Sequence, residues 1–181
     1  MRHDNSLEKL PLVDEDGRVT GCATRGECHD GSMRLHPVVH LHLFNPSGEL
    51  FLQLRPKWKD IQPGRWDTAV GGHVDWGESV EEALRREVRE EIGLTDFEPR
   101  FLLRYVQQSA RERELVHVYR TETALAPRPS AELDGGRFFS RQEILARLGA
   151  DFFTPNFEQE WTRLFGEAGR HDAARADVPL P

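Results

Sequence analysis

Apolar and polar positions alternate most regularly between residues 39 and 54, and that stretch sets the first expectation for the fold. Val39, Leu41 and Leu43 interleave with His40, His42 and Phe44; Asn45-Pro46-Ser47-Gly48 turns the chain, and Leu50, Leu52 and Leu54 return on one face. A period of two places alternate side chains on opposite sides of an extended chain, so the stretch predicts a β-hairpin. A smaller hairpin is expected upstream, where residues 10–13 and 18–22 flank the turn-rich Asp14-Glu15-Asp16-Gly17. Beyond Leu54, prolines and a glycine in Arg55-Pro56-Lys57-Trp58-Lys59-Asp60 and Pro63-Gly64-Arg65-Trp66-Asp67 favour an ordered loop. A short strand over 66–70 is expected to end at Gly71-Gly72.

The period then lengthens. Val80, Ala83, Leu84, Val88 and Ile92 form an apolar stripe at helical spacing, predicting a helix over 79–92. Ser79 and Glu82 fit a capping box, and Gly93 stands where a left-handed residue ends a helix. Strands over 100–107 and 115–123 and helices over 141–148 and 156–165 follow, with a polar, poorly ordered tail from Glu167. Hairpins, a central helix and late helices give an α+β class with a sheet covered by helices. The organisation expected is an extension over 1–9, one domain over 10–166 and a disordered tail over 167–181.

Composition narrows the partners. The 181 residues, 38% hydrophobic, suit one domain with a core of its own. A net charge of −7 argues against a nucleic-acid partner but not against a small anion held by a metal and a few local cations. No apolar run approaches the roughly 20 residues of a bilayer span, so no membrane partner is expected. Nor does an apolar segment follow Met1-Arg2-His3-Asp4-Asn5 as a secretory signal requires. With Cys22 and Cys28 outside any C-x-x-C pair, a reduced, cytoplasmic setting is the expectation.

The chemistry gathers on the central helix. Glu87, Glu90 and Glu91 stand at i, i+3 and i+4 and share a face, where their mutual repulsion favours a hard divalent cation. Flanked by Arg85, Arg86 and Arg89, the triplet taken alone reads more readily as a solvated charged face. The wider spacing separates the two readings. Gly72, five residues, Glu78, seven residues and then Arg86-Glu87-Val88-Arg89-Glu90-Glu91-Ile92-Gly93-Leu94 resemble the Nudix signature G-x5-E-x7-R-E-U-x-E-E-x-G-U, U being aliphatic, at every fixed position.

That resemblance implies a Nudix-type α/β/α sandwich with a mixed central sheet and a loop–helix–loop. It implies a hydrolase that cleaves a small-molecule diphosphate with Mg²⁺ or Mn²⁺ as cofactor. Glu87 and Glu91 become the first candidates for metal ligands, with Glu90 supporting them and polarising the attacking water and the Gly72 carbonyl completing the site. Glu90, Glu91 and Arg86 are the catalytic candidates, Arg86 by orienting a glutamate, and Glu78 belongs to the loop's own structure. Gly72, Gly77 and Gly93 allow tight turns.

A second layer of resemblance covers residues 12–153. Phe44-Asn45, Gly48, Arg55 with Lys59-Asp60, Pro63-Gly64, Trp66, Gly72-His73 and Gly77-Glu78-Ser79 are similar to the Nudix branch that holds isopentenyl-diphosphate isomerase and its hydrolase relatives. This likeness implies a second metal site at His29, His36, His73, Glu112 and Glu114, and diphosphate contacts from Arg55 and Lys59. With eight histidines in the chain, coincidence remains an alternative, and Arg111-Glu112-Arg113-Glu114 also reads as a solvated loop. The isomerases' reactive cysteine falls at Gly71, which has no proton to give, and Phe153-Thr154-Pro155 leads to Asn156 where a tryptophan is expected. A hydrolase of a nucleoside diphosphate derivative or other organic diphosphate is therefore preferred to an isomerase or a non-catalytic ligand sensor. Trp58 and Trp66 read as packing rather than stacking platforms, and a homodimer is the default assembly.

Overall fold

The computed structural model describes residues 5–59 and 61–166. In chain order the elements are β1 (Lys9–Val13), β2 (Val19–Thr24), α1 (Arg25–Cys28), β3 (Leu35–Phe44), β4 (Leu50–Leu54), β5 (Trp66–Asp67), β6 (Val70–His73), α2 (Val80–Ile92), β7 (Arg100–Gln108), β8 (Arg113–Glu122), β9 (Gly135–Phe139), α3 (Arg141–Leu145) and α4 (Pro155–Phe165). β1 and β2 pair as a separate antiparallel ribbon. The remaining strands make one mixed sheet in the order β5-β4-β3-β8-β7, with β6 added to β3 and β9 to β4.

The alternating stretch becomes the centre of this sheet. β3 runs parallel to β8 from Leu35 opposite Arg113 to Phe44 opposite Glu122, and its other edge is shared between β6 and β4. Only Leu43 and Phe44 pair with β4, so the expected hairpin is a hinge between strands rather than a full ribbon. Both faces of β3 are covered. Val39, Leu41 and Leu43 pack with Ala83, Leu84, Val88 and Ile92 of α2. Val38 and Phe44 pack with Val116, Val118 and the α4 residues Phe157, Trp161 and Leu164. Helices on both sides of a mixed sheet give the α/β/α sandwich.

Several elements depart from the pattern read in the sequence. The single strand expected over 66–70 is two strands on different partners, β5 on β4 and β6 on β3, and Gly71 and Gly72 lie inside β6 rather than beyond it. The short α1, capped reciprocally by Thr24 and Glu27, offers too few residues for a periodic signal. β9 carries Gly135-Gly136, which lowers strand propensity; Gly136 sits so close to the Phe51 ring that any Cβ would collide with it. α3 ends at Leu145, three residues short of expectation. The expected boundary after residue 9 falls within β1, and Ser6 and Glu8 already accept backbone bonds from Gly26 and Arg25. The tail expected over 167–181 lies outside the described residues. Among those residues no helix is long and apolar enough to cross a membrane.

Candidate active site

α2 is locked at both ends. Ser79 Oγ accepts from the Glu82 amide while the Glu82 carboxylate accepts from Ser79 N–H at 2.8 Å, and Gly93 closes the helix at φ 68°. With its buried stripe seated on β3, the helix presents Glu87 and Glu91 to β6. Arg86 ties this face to the preceding loop. Its Nε and one terminal nitrogen grip the two Glu78 oxygens at 3.0 and 2.9 Å, the latter also donating to the His73 carbonyl at 2.9 Å. Its other terminal nitrogen donates to Glu87 Oε1 at 2.6 Å. Glu78 thus acts through Arg86, whose fork matches a carboxylate in two places.

Glu87 and Glu91 share one poorly solvated place. The Glu87 carboxyl lies against Gly72 so closely that a Cβ there would overlap it. Glu91 Oε2 accepts from the Gly71 amide and from Gln53 Nε2, each at 3.2 Å. Burial pushes Glu91 up to about 8, with the charge of Glu87 adding to the rise. Burial likewise lifts Glu87 to about 7 although Arg86 pulls it down. Two carboxyls that stay raised despite Arg86 at Glu87 and the charge of Arg55 at Glu91 form a site short of positive charge, which suits a divalent cation. Glu90 lies on the exposed side of the same helix, 3.7 Å from Arg86. Substituting Gly72 with alanine should force Glu87 away from β6 and cost about 1–3 kcal/mol. Urea denaturation checks this, and a loss below about 0.5 kcal/mol, within the range of ordinary surface changes, would contradict the close approach.

The histidines named in the sequence converge. His29, from the end of α1, His36 of β3 and His73 of β6 place one ligating nitrogen each within 4.8 Å of the others. His36 is wholly buried; Nδ1 donates to the Arg34 carbonyl at 2.9 Å, and Nε2 has no partner among the described residues. Burial lowers His36 and, more strongly, His73, keeping both as the neutral imidazoles that ligate metals. Glu112 approaches His29 at 3.4 Å. Glu114 follows two residues later at the start of β8, its carboxyl lifted to about 7 by burial and by Glu112. The three-histidine set and the orphaned His36 nitrogen fit a second cation, while Glu112 and Glu114 stand outside that close group.

Arg55 reaches the site from the loop after β4. It donates to the Ile61 carbonyl and, at 3.3 Å, to Asp67, while its charge is felt at Glu91 and Glu112. Lys59 is half-buried with its ammonium 5.0 Å from the Trp58 ring, and its charge is felt at His73. Trp66 packs edge-on to Phe139 at 4.9 Å, as packing predicts, whereas Trp58 is 54% exposed.

Two features escaped the sequence reading. Gln53 is an inward-facing polar residue on an apolar strand, and its partner Glu91 lies 38 residues away. Glu160 of α4, fully buried, accepts from His42 at 2.6 Å, Tyr105 at 2.7 Å and His40 at 2.9 Å. Burial would raise its carboxyl, but His40 and His42 outweigh that cost and hold it well below the usual carboxylate range. Two histidines on one face of a buried strand were the available signal, since each needs a partner from elsewhere.

The NUDIX domain model matches residues 34–160. An uncharacterized Nudix hydrolase of Streptomyces coelicolor is 32% identical over 161 residues, spanning 87% of this chain and 88% of the relative. Isopentenyl-diphosphate Delta-isomerase 1 of Photorhabdus laumondii is 27% identical over 164 residues, 86% of this chain and 93% of the relative. The crystal structure of DR0079 from Deinococcus radiodurans superposes with a TM-score of 0.74 at 29% identity, over 87% of this chain and 99% of that one. Matched over most of its length in sequence and in backbone, this chain belongs to the Nudix family, in the branch shared by hydrolases and isopentenyl-diphosphate isomerases.

Proposed function

We propose that this protein is a divalent-metal-dependent hydrolase that cuts a diphosphate linkage, in a nucleoside diphosphate derivative or another organic diphosphate. The observation that carries this reading is the convergence of Glu87 and Glu91 beneath Gly71 and Gly72, two half-buried carboxyls with too little positive charge around them. Glu87 and Glu91 would hold Mg²⁺ or Mn²⁺, with Glu90 supporting and the Gly72 carbonyl available to complete the set. Such an ion lowers the pKa of water and screens phosphoryl oxygens. Arg86 keeps Glu87 aimed and couples it to the loop through Glu78. Glu90, exposed to solvent, would take the proton of the attacking water on a carboxylate oxygen. Arg55 and Lys59 supply positive charge for phosphoryl oxygens that one ion leaves unneutralised. His29, His36, His73, Glu112 and Glu114 would hold a second ion.

Several relatives are named isomerases, yet Gly71 offers no proton donor where the isomerases carry cysteine, so double-bond protonation lacks a partner. Assays of product release with Mg²⁺, Mn²⁺ and EDTA, against Glu91→Gln, test the hydrolase reading; turnover indifferent to chelation and to that substitution would overturn it.

Metal binding has a pH signature. Without metal, Glu87 and Glu91 favour the protonated form, at about 7 and 8 against an ordinary 4.5. The stability they contribute is therefore present below 4.5 and lost as pH rises through 7 to 8. A bound cation favours the ionised form and reverses that loss. In EDTA the thermal midpoint should fall between pH 6 and pH 8.5, and Mn²⁺ should restore it most at the upper end. Equal Mn²⁺ stabilisation at both pH values would contradict the ligand assignment.

A further inference from the structure

Gly71 is exposed in mid-strand, directly across the ladder from His40 of the central strand. Nothing in the fold requires glycine there. Its φ lies outside the left-handed region, and an added Cβ would meet only ordinary contacts: His40 Cδ2 at 3.5 Å, His40 Nε2 at 3.7 Å and Thr68 Oγ1 at 3.8 Å. Gly72 next door differs, since Glu87 fills its side-chain space. A glycine that neither backbone nor packing demands leaves open the imidazole edge beside it, as strands do where a ligand approaches closely.

That edge is held in place. His40 Nδ1 donates to Glu160 Oε2 at 2.9 Å, and Glu160 is itself fully buried and fixed by His42 and Tyr105. Nε2 is thereby turned away from Glu160 toward Gly71, and among the described residues it has no hydrogen-bond partner; the side chain retains 12% exposure. Burial opposes a charge on His40, but Glu160, with smaller contributions from Asp67 and Glu114, outweighs it and raises the imidazole to about 9. Gly71 also joins this edge to the glutamate helix, because its own N–H is bound to Glu91.

We propose that His40 is a substrate-contacting residue, its Nε2–H donating to a phosphoryl oxygen that lies over the open side of Gly71. This rests on the hydrolase reading above and adds a binding contact on the sheet face opposite α2. Glu160 is then a positioning residue, acting on substrate only through His40. A charged donor with its other nitrogen fixed favours an anionic acceptor over a neutral one.

Two variants test this from opposite sides. His40→Ala removes the donor, and Gly71→Val fills the space in front of it while leaving the Glu160 cluster intact. With the substrate that wild type hydrolyses best, each should raise KM about tenfold and leave kcat within about threefold, the pattern of lost uniform binding. Inorganic pyrophosphate, used as a competitive inhibitor, should weaken by the same factor in both. Thermal midpoints should show both proteins folded, His40→Ala being the less stable. KM and inhibition constant within twofold of wild type in a folded His40→Ala would overturn the proposal. A raised KM with unchanged pyrophosphate inhibition would overturn the phosphoryl assignment. If wild type shows no turnover that Glu91→Gln abolishes, the hydrolase reading itself fails, a separate result from either.

Discussion

Glu91→Gln is expected to lower turnover by far more than the ten- to hundredfold typical of residues that merely support a metal ligand, while leaving the fold intact. Glutamine has nearly the same shape and retains an acceptor oxygen for the Gly71 amide and Gln53, so the local packing persists. What disappears is the charge. In the metal-free protein that charge is a liability, because burial and Glu87 raise the carboxyl to about 8. The variant should therefore have, in EDTA at pH 8, a thermal midpoint no lower than wild type, and it should gain little from Mn²⁺. Lost activity with unchanged or higher apo stability distinguishes a ligand from a structural residue. A steep fall in apo stability would show that Glu91 serves the fold instead.

The largest loss of stability is expected at Glu160→Ala. Removing one partner from a buried charged cluster costs about 3–5 kcal/mol, because the groups left behind remain desolvated and unpaired. Here three donors, from His40, His42 and Tyr105, would lose their common acceptor, and His42 Nδ1 already has no partner among the described residues. Against the 5–15 kcal/mol typical of a whole domain, about 3–5 is a large fraction. Urea denaturation at neutral pH would measure it. A cost under about 1 kcal/mol, the median worth of a surface ion pair, would show that the cluster is solvated.

How far the sequence carried the fold depended on whether a signal was local. α2 was readable because its stripe, its cap at Ser79 and its stop at Gly93 all lie within fifteen positions and agree. The alternation over 39–54 revealed strands but not their neighbours. β3 takes β8 as its parallel partner, a pairing across more than seventy residues that no local period encodes. Burial of both faces of β3 follows from that topology, and with it the burial of His36 and His42. The split between β5 and β6 was hidden for the same reason, as the two glycines read as an end when they lie in mid-strand, Gly72 making room for Glu87 and Gly71 bonded to Glu91.

The candidate site shows the same division. Helical spacing carried Glu87, Glu90 and Glu91, and the resemblance added Arg86 and Gly72; the fold brings Glu87, Glu91, Arg86 and Gly72 together, while Glu90 stays toward solvent. Resemblance carried His29, His36 and His73, which lie on three separate elements. Gln53, His40 and Glu160 belong to no motif. Their importance arises only once β4, β6 and α4 are placed around the central strand.

If the Glu87–Glu91 site is hydrolytic, the oxygen that enters at phosphorus comes from water. The most direct test incubates the protein with Mg²⁺ or Mn²⁺ and a panel of nucleoside diphosphate derivatives and isoprenoid diphosphates in ¹⁸O-enriched water, with mass spectrometry of the products. The expected result is two phosphorylated or phosphate products, one bearing a single solvent-derived ¹⁸O on phosphorus, and none from Glu91→Gln. Conversion of isopentenyl diphosphate to an isomer of unchanged mass formula, with no ¹⁸O on phosphorus in any reaction, would contradict it.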